Sequence, residues 1–227
     1  MAVNPENEPV GGRRDEYQYR DAEAPHTSQY LWGPLCAMIQ KDIRGQAPAR
    51  VLDLGCGNGA FAAHLAARGF DVVAVDPSES AIAEARRAHP NLRVLHGSGY
   101  DDLASVLGRF PIVTCLEVIE HCFFQRRIAR CIHALLEPGG TAYLSTPFHG
   151  YWKNLALALT GRMDAHFTAL WDHGHIKFWS VRTVTALCRE AGFLGVSVVR
   201  VGRVPPLAKS MIVIARKRHD ASPAKSF

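Results

Sequence analysis

Residues 51–59 read Val-Leu-Asp-Leu-Gly-Cys-Gly-Asn-Gly. Residues 51–54 form a short, mostly apolar run that suits a buried strand. Gly55, Gly57 and Gly59 follow at once, and a helical pattern starts at Ala60. Glycine lets the backbone turn sharply and approach a ligand with no Cβ in the way. In an open α/β sheet, ligands bind outside the carboxyl ends of the strands. This loop is therefore expected to touch a nucleotide-like molecule.

The same alternation continues down the chain. Strands are predicted at 51–54, 71–75, 92–96, 112–116 and 141–145, with helices at about 60–68, 80–88, 101–107 and 125–136. This βαβα order implies a parallel sheet with helices on both faces. A helix is also expected over about 27–43, although Gly33-Pro34 complicates its start. Residues 147–180 are rich in aromatics and histidine and hold no obvious strand, so they read as an insertion. A helix at 181–191 precedes two strands, 196–201 and 211–216, with only a turn between them. Such a pair should run antiparallel. The fold class is α/β, a doubly wound, mostly parallel sheet.

The chain has 227 residues, nearly half of them apolar, enough for one domain with a modest insertion. Residues 1–26 are charged and nearly free of apolar side chains, and read as a mobile tail. The core domain spans 27–216, and 217–227 reads as a basic tail. The net charge of +5 is concentrated at the ends, at Arg13 and Arg14 and at Arg216, Lys217, Arg218 and Lys225. Solvated tails explain such runs, and a weak attraction to anionic surfaces is the alternative. The six cysteines form no CxxC pair, and the first 29 residues hold no apolar signal core. Both features point to a reducing cytoplasm.

The ligand class follows from charge and spacing. Pyrophosphate cofactors use GxGxxG, whereas the spacing here is GxGxG. Asp53, just before the glycines, would repel a diphosphate and suits a phosphate-free ligand with an ammonium group. Asp76 ends the second strand, 21 residues after Gly55, where a carboxylate can accept from ribose hydroxyls. S-adenosylmethionine (SAM) has these properties.

VLDLGCGNG, VVAVDPS, TCLEVIEH, LLEPGG and STP together resemble the class I SAM-dependent methyltransferases. EVIEH followed by LEPGGTAYLSTP is similar to the ubiquinone-biosynthesis O-methyltransferases and their small-molecule relatives. The resemblance covers about residues 48–216. It implies a seven-stranded Rossmann-like sheet with an antiparallel last strand. It also implies that Asp53, Gly55, Cys56 and Gly57 line the methionine end. Asp76 would hold the ribose beside Pro77 and Ser78. Ser98, Gly99 and Tyr100 would lie near adenine, and Leu116 and Glu117 would face the sulfonium. The segment HGSGYDD departs from the commoner GDA-type pattern, and Pro111 replaces an acid often found before the fourth strand.

Methyl transfer needs alignment of the acceptor, exclusion of water and, for a hydroxyl, removal of a proton. Glu117, Glu120 and His121 stand at i, i+3 and i+4 and would share a face if their turn were helical. Three roles stay open. His121 acts as a base oriented by an acid; Glu117, Glu120 and His121 hold Mg2+ or Zn2+; or Glu120 caps the next helix while His121 packs structurally. His149, His166, His173 and His175 add candidates from the insertion, with His173 or His175 favoured near the substrate by the resemblance. Trp152, Leu155, Leu159, Met163, Phe167, Leu170 and Trp171 follow a helical period, as expected of two short helices forming a lid. The equivalent region of the resembled quinone enzymes meets membrane, so a peripheral membrane contact enters as an expectation. Nucleic acid is not expected, because the polar-Pro-Pro-aromatic tetrad of base-modifying enzymes is absent after the fourth strand. O-methylation of a hydrophobic or aromatic small molecule is the leading function. N- or C-methylation and a SAM-binding protein without turnover are the alternatives. Spacing leaves the acceptor and the oligomeric state open.

Overall fold

Val51, Leu52 and Leu54 are each at most 3% exposed, so both faces of their strand are covered. That strand is β1 (Arg50–Leu54), at the centre of a seven-stranded sheet with β2 (Asp71–Asp76), β3 (Arg93–His96), β4 (Phe110–Leu116), β5 (Leu136–Pro147), β6 (Gly195–Val201) and β7 (Ser210–Arg216). The computed structural model describes residues 29–43, 49–167, 169–172 and 174–219. The expected tail at 1–26 and residues 220–227 of the expected basic tail at 217–227 lie outside the described residues; Lys217 is described, and its ammonium donates to His133 O and Leu136 O at 2.8 Å.

The strand order is β3-β2-β1-β4-β5-β7-β6. β1 pairs in parallel with β2 and β4, and β4 with β5. β7 runs antiparallel to both β5 and β6. The chain starts in the middle, moves to one edge, and returns to add β4 on the other side. That reversal opens a crevice between the carboxyl ends of β1 and β4.

Side chains alternate across a strand, and this divides the core in two. Leu52, Leu54, Val73, Val75, Val113 and Leu144 face one side. There they meet α4 (Leu103–Leu107), α5 (Gln125–Leu135) and α8 (Val181–Glu190) through Leu103, Ile128, Ile132, Val184 and Leu187. Val51, Val72, Ala74, Ile112, Tyr143 and Ile212 face the other. They meet α1 (Gln29–Asp42), α2 (Ala60–Ala66) and α3 (Glu79–Ala88) through Leu31, Leu35, Phe61, Leu65 and Ile82. Each such side chain contributes about 1.5–3 kcal/mol on burial. α1 runs through Pro34, against the expectation that Gly33-Pro34 would disturb its start. Buried Leu31, Leu35 and Ile39 hold it to the sheet, and this packing outweighs the one intrahelical bond a proline removes.

The insertion carries the two expected helices, α6 (Tyr151–Leu159) and α7 (Met163–Phe167). Neither has a fully buried residue. No helix among the described residues is long and apolar enough to cross a membrane. All six cysteines are free thiols.

Candidate active site

The glycine loop is built as its sequence demands. Gly55, Gly57 and Gly59 have φ of 78°, 54° and 77°, the left-handed region that costs other residues about 1–2 kcal/mol. A Cβ at Gly55 would collide with the Val118 side chain, so the loop is pressed against the segment leaving β4. The amides of Gly55 and Cys56 donate to Val75 O at 2.7 and 3.1 Å. The Gly57 amide donates to Asp76 Oδ2 at 2.8 Å, and the Ser78 amide to Asp76 Oδ1 at 2.9 Å. Asp76 thus orders the loop itself. A carboxylate in this position can also accept from ribose hydroxyls.

Asp53 is 2% exposed and accepts from Thr114 Oγ1 at 2.7 Å. Burial, with the charge of Asp76 adding to it, pushes its carboxyl up to about 7. An ammonium group in the crevice would favour the ionised form. These residues therefore fit the amino-acid end of SAM. SAM brings a methyl group already activated on sulfur; the chain supplies binding, orientation and exclusion of water.

In the segment expected near adenine, Ser98 N–H donates to Asp101 Oδ2 at 2.8 Å, and Tyr100 N–H to Ser98 Oγ at 3.2 Å. Tyr100 also takes Phe124 N–H on its hydroxyl and the Arg127 guanidinium on its carbonyl. A Cβ at Gly99 would come within 2.7 Å of Ile128 Cδ1. The need for glycine there comes from helix packing.

The turn after β4 is not helical, and the expected shared face of Glu117, Glu120 and His121 does not form. Glu117 has φ of 54°, the one positive φ outside glycine among the described residues, and a left-handed residue cannot continue a right-handed helix. Ser145 Oγ donates to Glu117 Oε1 at 2.8 Å and accepts from the Glu117 amide at 3.1 Å. Burial pushes the Glu117 carboxyl up to about 7, opposed by hydrogen bonds from Ser145 and Ser210 and by the charge of Lys153. Glu120 is fully buried, and neither carboxyl oxygen has a hydrogen-bond partner among the described residues. Burial and then the charge of Glu117 raise its pKa well above the usual range. Glu120 does not cap α5, whose N-cap is Phe124 with no side-chain bond.

Glu120, His121 and His175 each offer a ligand atom within 4.8 Å of the others. His175 thus takes the place expected for Glu117 in this group. The His121 and His175 rings are 4.9 Å apart, and His121 Nδ1 lies 3.3 Å from Gly174 O. Burial, then the charge of His121, lowers the His175 pKa to about 4.

A family profile described as a methyltransferase domain matches residues 27–198. The chain belongs to the SAM-dependent methyltransferase family. It is 35% identical over 185 residues to a ubiquinone biosynthesis O-methyltransferase of Pseudomonas aeruginosa, covering 78% of each chain. It is 31% identical over 152 residues to the enzyme of the same name from Aromatoleum aromaticum, covering 65% of each. The chain thus spans just under two thirds of the Aromatoleum relative's length. A SAM-dependent methyltransferase of known structure from Mesorhizobium loti shares the fold, with a TM-score of 0.63 at 21% identity, covering 83% of this chain and 98% of that one.

Within this methyltransferase the insertion supplies a second group of side chains. The His149 ring lies 5.3 Å from His166 and 5.0 Å from Phe178. His149 is buried, and burial followed by the charge of Lys153 lowers its pKa to about 4. His173 lies outside the described residues. The sequence reading missed Lys153, whose ammonium donates to Phe148 O at 2.8 Å. It missed Thr114 and Ser145, which donate to Asp53 and Glu117, and Tyr30, which donates to Ser210 Oγ at 2.7 Å. Thr114 had a local signal, because it is the one polar residue in the predicted strand 112–116. Tyr30 and Ser210 had none, since 180 residues separate them.

Proposed function

We propose that this methyltransferase transfers the SAM methyl group to a hydroxyl of a hydrophobic or aromatic small molecule. The supporting observation is the fully buried carboxyl of Glu120 within reach of His121, with the half-buried Glu117 earlier in the same turn, beside the glycine loop. Asp53, Gly55, Cys56, Gly57, Asp76, Pro77, Ser98, Gly99 and Leu116 form the cofactor side of this reading. An acceptor hydroxyl here meets groups able to take its proton, with His121 as base. The acceptor enters under α6 and α7, whose Trp152, Leu159 and Met163 supply apolar surface.

A second reading has its own observation. Glu120, His121 and His175 fit a divalent cation, Mg2+ or Zn2+, which would bind the acceptor oxygen and lower its pKa. Glu117 then stays on Ser145 and takes no part in coordination. One experiment tests both readings. Radiolabelled SAM is incubated with a panel of catechols, phenols, amines and thiols, with and without EDTA. Label on phenolic oxygen supports O-methylation, and label found on amines alone rejects it. EDTA-resistant turnover favours the base; loss restored by added cation favours the metal.

Tyr151, Trp152, Leu159, Leu170 and Trp171 are exposed on the insertion. They support a peripheral contact with a membrane surface that presents an apolar acceptor, on the cytoplasmic side. Co-sedimentation with anionic liposomes should fall when Trp152 and Trp171 are replaced by Ala. Absence of binding at every salt concentration rejects the contact.

A further inference from the structure

Buried polar atoms without a hydrogen-bond partner are not scattered over this protein. Eight occur among the described residues, and seven of them belong to Glu120, Thr146, His149, Asn154, His166 and Trp179. These six residues lie in the turn after β4, at the end of β5 or in the insertion. A buried polar group normally finds a partner, so a concentration of orphans at one end of the sheet points to a ligand. His149 is the member whose place is best fixed. It is 7% exposed, and its Nδ1 is one of the orphans. Its amide donates to Trp179 O at 2.8 Å, beside a parallel bridge between Phe148 and Trp179. The backbone thus continues β5 past Pro147. Side chains alternate across a strand, which puts His149 on the face of Ser145, the residue bonded to Glu117 at 2.8 Å.

The imidazole is held from two sides. It stacks on Phe167 of α7 with ring centroids 5.8 Å apart, and it meets Phe178 edge-on at 5.0 Å. The amides of Ile176 and Lys177 donate to Glu120 O at 2.9 and 3.0 Å, so residues 176–179 form one strip from Glu120 to His149. The Lys177 and Trp179 Cα atoms are at most about 7 Å apart, which ties His149 to the same small site as Glu120. We propose that His149 is a specificity-determining residue of the acceptor site, whose Nδ1 hydrogen-bonds a second, uncharged oxygen of the acceptor, away from the one methylated. The inference rests on the O-methylation reading above. Burial keeps this imidazole neutral at pH 7. A neutral ring nitrogen donates or accepts according to its tautomer, which suits a hydroxyl or carbonyl. Phe178 is partly exposed beside it and gives an acceptor ring an aromatic neighbour.

A site built to bond an oxygen penalises an analogue that lacks it, because the buried nitrogen is then left unpaired. Methyl transfer from radiolabelled SAM is measured for phenol and for its 2-, 3- and 4-hydroxy and acetyl derivatives. Wild type should prefer at least one derivative over phenol by about threefold or more in kcat/KM. His149→Phe keeps the ring packing and removes both nitrogens. In it that preference should fall about three- to tenfold, as for loss of one hydrogen bond, with the change carried mainly in KM. A merely structural role would lower kcat for all acceptors alike and leave the preference intact. If melts show that His149→Phe fails to fold, His149→Asn and His149→Gln decide together. Asn keeps a polar atom where Nδ1 stands and should retain more of the preference than Gln; equal loss in both overturns the role of Nδ1. A folded His149→Phe with the wild-type preference, or a wild type with none, overturns the inference and leaves O-methylation standing. Label found on amines alone overturns O-methylation, and the matched aniline series then decides His149 by the same ratio. Wild type that acts on neither series overturns both.

Discussion

Thr114 Oγ1 donates to Asp53 Oδ1 at 2.7 Å, across the boundary between β4 and β1. This bond partly offsets the cost of burying a carboxyl at the centre of the sheet. It does not remove that cost, because the Asp53 pKa stands at about 7.

Replacing Asp53 with Asn should therefore separate stability from binding. A carboxyl raised from about 3.9 when unfolded to about 7 when folded makes the folded state bind more protons. Wild type then loses stability as pH rises from about 4 to about 7. Asp53→Asn lacks this loss, so its Tm advantage over wild type should grow between pH 5 and pH 8. SAM affinity should fall at least about tenfold, as for loss of a charged partner. Melts at the two pH values and calorimetry check this; equal Tm differences at both pH values would contradict it.

Gly55→Ala should damage both the fold and the site. Its φ of 78° and the collision with Val118 act together. Left-handed strain and overpacking sum to about 2–5 kcal/mol. Urea unfolding should show that loss, with SAM binding greatly weakened. A variant within about 0.5 kcal/mol of wild type would mean that the loop relaxes freely.

His121→Ala tests the base. Losing a general base should lower kcat by about a hundredfold or more at neutral pH. An unchanged kcat removes His121 from the chemistry. Under the metal reading, His175→Ala should show a comparable loss, because both imidazoles then hold the cation.

His149 sets an acid limit on stability. Burial lowers its folded pKa to about 4, below the unfolded value of about 6.5. Its neutral form suits the fold above pH 6.5, and stability is lost as pH falls from about 6.5 to about 4, because the unfolded chain protonates first. His149→Gln should show a smaller drop in Tm between pH 7 and pH 5 than wild type. The same drop in both proteins would move the acid sensitivity elsewhere.

The glycine loop was legible because its signals are local. Gly55, Gly57 and Gly59 advertise their backbone shape, and Asp53 and Asp76 mark the ends of two strands. The geometry at Glu117 was misread for the opposite reason. Spacing of three and four implies a shared face only when the backbone is helical. A left-handed Glu117, drawn inward onto Ser145, breaks that premise. His175 joins Glu120 and His121 from more than fifty residues away, and no spacing rule reaches that far.

The order of strands and helices, the glycine turn and the two strand-end acids were determined by the sequence alone, because each depends on neighbours within a few residues. Tertiary structure decided which distant side chains meet at the mouth of the sheet. Inserting β7 antiparallel between β5 and β6 carries Ser210 to the mouth of the sheet, and α1 packs so that Tyr30 reaches it. Those contacts depend on how whole elements stack, which the burial of two opposed apolar faces settles only once the complete sheet has formed.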